Sequence, residues 1–314
     1  MGAGVDAVRR IEYDRYGDPS RLRLGDFTPR APRRGEVHVR VAAAAANAMD
    51  WKIRSGKMKW VTGRRFPRGV GHDLSGTIVQ VGSGVRDFAV GEAVFGAVGM
   101  GAGAFAEVAV VRAKNLACKP DGLSFEQAAA LPVVGLTALQ ALNRAQIEAG
   151  GRVFVNGALG GVGQATVQLA RARGAFVSGS VRDVTSPALA TLGMETVVGF
   201  DVDPALFDRE FDLVLDTAGT LPIATTLQLL APGGRALDIV PAAAKVAWVL
   251  RHRRYRPHMG NLNRRDLDVL AQHVTSGALA LPIARTVTLQ DAIPALSELE
   301  LDGTPKGGKL VITP

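Results

Sequence analysis

The rhythm of apolar and polar positions changes about a third of the way along the chain. Up to residue 123 the apolar runs are short and broken, at 37–41, 74–81 and 105–111, with punctuation such as Gly82-Ser83-Gly84 between them. This pattern predicts strands in a compact, mostly antiparallel β domain. At Ser124 the pattern turns helical. Ser124-Phe125-Glu126-Gln127 has the form of a capping box, in which serine and glutamine side chains satisfy each other's backbone N–H groups, and Pro132 falls near the end of that helix. A second helix runs through Thr137 to Arg144. From Arg152 to about Ser276 strands and helices alternate, with strands predicted at 153–155, 175–180, 196–198, 211–216 and 235–240. Ser186-Pro187 opens one intervening helix as N-cap and first-turn proline. Strands bounded by helices imply a parallel sheet covered on both faces. Asn263-Arg264-Arg265-Asp266 caps a helix whose Leu267, Leu270, Ala271 and Val274 form one stripe before Gly277. Thr288-Leu289-Gln290-Asp291 caps the last helix. The run 309–312 reads as a terminal strand that returns to the first domain and makes it discontinuous. There is no internal repeat and no low-complexity tract.

The sharpest local feature lies where Val153-Phe154-Val155 enters Asn156-Gly157-Ala158-Leu159-Gly160-Gly161-Val162-Gly163, after which Val162, Ala165, Leu169 and Ala172 recur at helical spacing. This is strand, tight turn, helix. Gly157, Gly160 and Gly163 remove Cβ atoms that would block the turn. They leave peptide N–H groups at a helix N-terminus, where hydrogen bonds and the helix dipole stabilise a pyrophosphate. The stretch reads as a dinucleotide site with Gly157, Gly160, Gly161 and Val162 as binding positions, although glycine turns also occur without a ligand. The next strand ends about 20 residues further on, where a dinucleotide fold places the reader of the adenosine ribose. Ser180 and Arg182 stand there in place of an Asp or Glu. A hydroxyl and a guanidinium suit a 2′-phosphate, which favours NADP(H) over NAD(H). The alternative makes Arg182 a solvated loop residue and gives Asp183 the acidic role. Asp216-Thr217-Ala218-Gly219 and Ile239-Val240-Pro241 end later strands, so Thr217, Ala218 and Val240 are expected beside the nicotinamide and its ribose. Ordinary strand-to-helix turns are the alternative there.

Composition narrows the class. A length of 314 residues accommodates two domains with their own cores, and 47% hydrophobic with 21% charged residues describes a soluble globular protein. The formal charge of +8 is spread along the chain and aromatics are only 5%, which argues against a nucleic-acid binder. Cys118 is the single cysteine, which excludes an intramolecular disulfide and any multi-cysteine zinc site and fits a reducing cytoplasm. Residues 1–6 lack a basic region followed by an apolar core, so no secretory signal is expected. The apolar region 93–111 is interrupted by Gly96, Gly99, Gly101, Gly103 and Glu107, which disqualifies it as a membrane span. The basic patch Arg251-His252-Arg253-Arg254-Tyr255-Arg256-Pro257-His258 reads as a solvated helix end, with a phosphate clamp for a carrier-bound or coenzyme-A-bound substrate as the second possibility.

Several motifs then fall into one order along nearly the whole chain. They are Tyr16-Gly17-Asp18-Pro19, Asn47-Ala48-Met49-Asp50-Trp51-Lys52-Ile53-Arg54-Ser55-Gly56, Gly71-His72-Asp73-Leu74-Ser75-Gly76, Val90-Gly91-Glu92-Ala93-Val94, Leu131-Pro132 with Gly135-Leu136-Thr137-Ala138, the glycine turn, Pro232-Gly233-Gly234-Arg235 and Gly308-Lys309-Leu310-Val311. Together they resemble the medium-chain dehydrogenase/reductase superfamily, in its zinc-independent quinone oxidoreductase branch. The resemblance implies an α/β chain with a GroES-like, mostly antiparallel β domain over 1–123, completed by 284–314. A Rossmann domain with a doubly wound parallel sheet would occupy 124–283, and the active site would lie in the cleft between them. It also implies NADPH as cofactor and a homodimer. Zinc-bearing relatives place cysteines where Asn47 and Val134 stand, and glutamate where Asp73 stands. His72 alone cannot hold catalytic zinc, so no metal is expected.

Without a Lewis acid, a quinone or an α,β-unsaturated carbonyl is the acceptor of choice. Conjugation spreads the incoming charge, and hydrogen-bond donors at the oxygen suffice. The candidate donors are the Asn47 amide, the Lys52 ammonium, the Thr137 hydroxyl and His72. By resemblance Asn47 and Thr137 lie near the nicotinamide and its ribose. Their plain alternatives are a turn residue for Asn47, a helix cap for Thr137 and a surface charge for Lys52. Relatives often carry a tyrosine where Trp51-Lys52 stands, so a tyrosine proton donor is not expected. The function expected is hydride transfer from NADPH to a quinone or enone, followed by protonation from solvent or a weak acid, with no nucleic-acid or membrane partner. An NADP(H)-binding sensor or structural protein without turnover is the alternative.

Overall fold

The computed structural model describes residues 6–99, 103–240, 245, 252–302 and 307–314. The expectations that rest on residues 1–5, on Gly101, on Pro241 and on Arg251 with the apolar helix before it lie outside the described residues. The chain divides into two compact units. One comprises Met1–Val133, Leu262–Thr275 and Leu281–Pro314, and the other Val134–Asn261 and Ser276–Ala280.

The first unit holds strands β1 (Val8–Tyr13), β2 (Arg23–Phe27), β3 (Glu36–Ala45), β4 (Arg68–Gly69), β5 (Asp73–Val81), β6 (Ala93–Ala97), β7 (Val108–Arg112) and β8 (Leu116–Cys118). Strands β2, β1 and β4 form a small antiparallel sheet. β3 is the spine of the larger one, pairing antiparallel with β5, β7 and the terminal strand. Alternation predicted this strand only over 37–41. It continues because Ala43, Ala44 and Ala45 are buried on both faces, where side chains this small let elements pack from either side. Two short helices follow, α1 (Ala48–Arg54) and α2 (Lys59–Thr62).

Helix α3 (Phe125–Ala129) opens with the expected capping box: Gln127 N–H donates to Ser124 Oγ at 3.2 Å and Ser124 N–H to Gln127 Oε1 at 3.0 Å. The change of pattern at Ser124 does not mark the end of the first unit, however. Ala129 packs with Ala43, Ala45 and Val311, and Ser75 Oγ donates to the Phe125 carbonyl, which binds α3 to the first unit's sheet. Pro132 opens α4 (Pro132–Ala145) rather than closing α3.

In the second unit β9 (Arg152–Asn156), β10 (Phe176–Ser180), β11 (Val197–Val198), β12 (Phe211–Asp216), β13 (Leu230–Asp238) and β14 (Tyr255–Pro257) form a six-stranded parallel sheet in the order β11-β10-β9-β12-β13-β14. This is the doubly wound order 3-2-1-4-5-6. Helices α5 (Gly161–Ala172) and α6 (Ile223–Leu229) belong to this unit. Pro187–Thr191 is a 3-10 turn without a side-chain cap rather than the α-helix expected there. The described part of the basic patch is likewise not a helix end. Tyr255 is buried in the sixth strand and Arg254 donates to the Ala231 carbonyl, because the edge of β13 needed a partner.

The chain then returns to the first unit. Helix α7 (Arg264–Thr275), which the pattern placed with the parallel sheet, pairs Arg264 with Asp87 at 3.3 Å and lays its guanidinium over Phe88. Its predicted cap is present, with Asp266 N–H donating to Asn263 Oδ1 at 2.9 Å. β15 (Ile283–Thr288), α8 (Ala292–Asp302) and β16 (Lys309–Thr313) finish the unit, and β16 lies between β15 and β3 as the terminal strand expected to return. No described helix is long and apolar enough to cross a membrane.

Candidate active site

Four residues turn the chain between β9 and α5. Gly157 takes a φ of +85°, and a Cβ there would lie 2.7 Å from Thr217 Oγ1. A Cβ at Gly163 would lie 2.2 Å from the Gly157 carbonyl oxygen. The fold itself requires both glycines. Gly160 differs: its φ is an ordinary −71°, and a Cβ would meet only the Gly157 oxygen, at 3.3 Å. Packing inside the protein demands far less of a bare backbone there than at the other two glycines, and the absence of a side chain leaves the room that close approach of a pyrophosphate would need. Gln164 N–H makes the first helical bond, to the Gly160 carbonyl at 2.8 Å, so the N–H groups of Gly161, Val162 and Gly163 have no intrahelical acceptor and form an anion-binding end. These residues fit a dinucleotide.

Hydrogen bonds from neighbouring strand ends hold the turn in place. Gly157 and Ala158 N–H donate to the Ser180 carbonyl at 2.9 and 3.0 Å, and Thr217 Oγ1 donates to the Asn156 carbonyl at 2.7 Å. The buried Asn156 amide donates to Asp216 Oδ1 at 2.6 Å and accepts from the Ser180 hydroxyl. This corrects the role read for Ser180, whose hydroxyl is fully buried and occupied by Asn156, so it cannot face a ribose phosphate. Arg182 is exposed just past the strand. Asp183 Oδ1 accepts from Thr185 N and Oγ1 at 2.9 and 2.6 Å in a local turn. Thr217 braces the turn, Ala218 stands against Gly157, and Val240 packs on Gly219.

A second polar group at these strand ends was missed. Lys245 Nζ bridges Asp216 Oδ2 at 2.9 Å and Asp238 Oδ2 at 3.0 Å, and Tyr255 Oη donates to Asp238 Oδ2 at 2.7 Å. Burial works against the charged ammonium, but the two carboxylates more than offset it and hold Lys245 above its ordinary value. The signal available was an aspartate ending each of two predicted strands. Thr137 lies buried on α4, its carbonyl accepting from His258 Nε2 at 3.0 Å and its hydroxyl facing Gly260.

In the first unit Asn47, Asp50, His72, Asp73 and Lys309 converge in one buried cluster. Asn47 precedes α1, and its backbone N–H donates to Asp50 Oδ2 at 2.7 Å. Its Nδ2 donates to Asp73 Oδ2 at 2.9 Å and to the Ala45 carbonyl at 3.3 Å, while its Oδ1 accepts from Lys309 Nζ at 2.6 Å. Every polar atom of the Asn47 side chain is thus engaged, and the residue positions the cluster rather than offering a free amide. Asp73 Oδ1 accepts Val133 N–H at 3.0 Å. Burial pushes the Asp73 carboxyl up to about 7, against the pull of Lys309 and the Asn47 hydrogen bond. Burial also lowers the Lys309 ammonium, which Asp73 and Asp50 partly restore.

His72 Nδ1 lies 2.6 Å from Asp50 Oδ1, and since a carboxylate only accepts, Nδ1 is the donor. Burial opposes charge on the ring, but Asp50 holds its pKa above the ordinary value. His72 Nε2 is buried without a hydrogen-bond partner. Lys52 is half-buried on α1. The cluster does not suit zinc: it offers no thiolate, Asn47 is fully engaged, and the Lys309 ammonium already supplies the positive charge that a metal would bring. Among the described residues no group of three His, Cys, Asp or Glu side chains could hold a metal ion. Lys309 was read as the start of a strand and as part of a motif, and Asp50 as part of a motif, neither as a member of a buried polar site.

Two family descriptions match the chain: "Alcohol dehydrogenase GroES-like domain" over residues 33–121 and "Zinc-binding dehydrogenase" over 192–312. The chloroplast envelope quinone oxidoreductase homolog of Arabidopsis thaliana is 32% identical over 247 residues, covering 74% of this chain and 75% of the relative. The solved structure of the quinone oxidoreductase from Coxiella burnetii is similar with a TM-score of 0.89 and 29% identity, over 98% of this chain and 100% of that one. The quinone oxidoreductase of Escherichia coli, solved in complex with NADPH, has a TM-score of 0.84 and 26% identity over 98% and 100%. With these likenesses added to the doubly wound sheet, the glycine turn and the split β unit, the chain belongs to the medium-chain dehydrogenase/reductase superfamily, as an oxidoreductase of its quinone oxidoreductase branch.

Proposed function

We propose that this enzyme reduces quinones and α,β-unsaturated carbonyl compounds with NADPH, without zinc. The observation that carries this reading is the buried cluster around Asn47, in which an asparagine stands where zinc-bearing relatives place a cysteine and is surrounded by the Lys309 ammonium, Asp73 and the His72–Asp50 pair. The N–H groups of Gly161, Val162 and Gly163 hold the pyrophosphate, and Arg182 holds the 2′-phosphate. NADPH supplies the hydride. Negative charge then develops on the acceptor oxygen, and in a conjugated acceptor it is spread widely enough for hydrogen-bond donors to stabilise it. His72 holds a proton at Nε2, supported by Asp50 through Nδ1, and is the weak acid suited to deliver it. Asn47 and Lys309 keep Asp73 and Asp50 in register around that ring.

The test is NADPH consumption over a panel of quinones, conjugated enones and simple primary alcohols in the presence of a chelator. Turnover is expected with the conjugated acceptors, and NADPH should bind at least tenfold tighter than NADH, about 1.4 kcal/mol. Arg182→Ala should erode that ratio and leave NADH binding nearly unchanged. NADPH binding without consumption across the panel, or alcohol oxidation that depends on zinc, would sink this reading. Equal affinity for both cofactors would sink the cofactor preference alone.

A further inference from the structure

Between Asp50 and Asp73 the chain carries Lys52, Arg54, Lys57, Lys59, Arg64, Arg65 and Arg68 and no acidic residue. Two of these cations are structural. Arg54 is buried, paired with Glu300 and bonded to the Gly17 carbonyl, and Arg68 is buried and donates to the carbonyls of Thr62 and Arg65. Lys57, Lys59, Arg64 and Arg65 are exposed. Among them, on α2, Trp60 is 90% exposed and Val61 71% exposed.

The segment that presents these side chains is fastened from beneath. Tyr16 Oη donates to the Gly63 carbonyl and lies 2.7 Å from Thr62 Oγ1, which is itself within hydrogen-bond reach of the Met58 carbonyl at 3.1 Å. Phe66 packs edge-on against the Tyr13 and Tyr16 rings, with centroids 5.8 and 5.1 Å away. The Lys59 ammonium lies 5.7 Å from the centre of the Trp60 ring. A backbone tied down by several hydrogen bonds and an aromatic cluster thus holds one exposed indole and one exposed aliphatic side chain on a segment whose other exposed side chains include Lys57, Lys59, Arg64 and Arg65.

We propose that this surface docks on an anionic lipid bilayer. An indole with one polar edge settles at headgroup depth, the neighbouring valine adds apolar contact, and the surrounding lysines and arginines are drawn to the negative surface potential. Charge complementarity selects this occupant over a second copy of the chain. A two-fold contact would set Lys57, Lys59, Arg64 and Arg65 against the same cations. A nucleic acid would favour a row of stacking aromatics, and here a valine stands next to a single tryptophan. The expectation of no membrane partner rested on the lack of an uninterrupted apolar span, which a peripheral docking surface does not need. The docking is peripheral and independent of the reaction proposed above.

The experiment is co-sedimentation of the full chain with vesicles of phosphatidylcholine alone and of phosphatidylcholine with phosphatidylglycerol, across a salt series. Binding is expected on the anionic vesicles only and should weaken with salt, by about fivefold for each of Lys57, Lys59, Arg64 and Arg65 replaced by glutamine. Trp60→Ser, which removes a side chain that packs on almost nothing, should keep the melting temperature, lose most of the binding and abolish a blue shift of tryptophan emission seen with the parent protein. No partition to anionic vesicles, or partition unchanged in Trp60→Ser and in the glutamine variants, would overturn the proposal. A mobility shift with duplex DNA lost in the same variants, or a dimer lost on Trp60→Ser, would also overturn it and assign the surface elsewhere.

Discussion

A side chain's role here turns on which of its polar atoms already have partners, and Asp73 shows the consequence for stability. Its carboxyl is pushed up to about 7 from an ordinary 3.8 by complete burial. A raised folded-state value means that the folded protein holds the proton more tightly than the unfolded chain. The associated stability is therefore fully present below about pH 4 and is lost as the pH rises through about 7. Asp73→Asn removes this titration while Asp50, His72 and Lys309 remain in both proteins. The variant should lose ground to its parent in acid and recover roughly 1–4 kcal/mol of the gap as the pH is raised across that window. Chemical denaturation at several pH values measures it, and a gap constant with pH would show that Asp73 does not titrate there.

At the scale of an element, the glycine turn separates what the fold requires from what a ligand requires. Gly160→Val places a β-branched side chain at an ordinary φ with only the Gly157 oxygen close, at 3.3 Å, so the protein should fold with a loss of about 1 kcal/mol from a poorer helix cap. Cofactor affinity should fall at least tenfold. Gly163→Ala forces a Cβ to within 2.2 Å of the Gly157 oxygen and should damage the fold itself, by several kcal/mol. Melting curves and calorimetric titration with NADPH distinguish the two. Undiminished NADPH binding by Gly160→Val would mean that the pyrophosphate lies elsewhere. The sixth strand makes the complementary point, since a run of arginines carries no strand period and Tyr255 enters the sheet through its pairing with β13 and its bond to Asp238.

Across the whole molecule, the first unit is closed by residues from the far end of the chain. Strand β16 buries Leu310, Val311 and Ile312 to within 2% of full burial and carries Lys309 to Asn47. At about 1.5–3 kcal/mol for each apolar side chain, the strand contributes roughly 5–9 kcal/mol, comparable with the entire stability of a domain. A chain ending after residue 308 should therefore lose the cooperative unfolding transition of the first unit in calorimetry, and an unchanged thermogram would contradict this. Neighbours along the chain were enough to decide the change from β to helical grammar, the helix caps at Ser124 and Asn263, the strand–turn–helix at Gly157 and the strand character of residues 309–312. These depend on periodicity, on local hydrogen bonds and on φ, all of which are set within a few residues. Tertiary structure decided which polar atoms remained unsatisfied. It turned Ser180 inward to Asn156, engaged every atom of Asn47, brought Lys309 to a site 262 residues away and left His72 Nε2 buried without a partner. Those outcomes depend on burial and on contacts between distant segments, and no local pattern encodes the desolvation that makes an ammonium or a carboxylate change its behaviour.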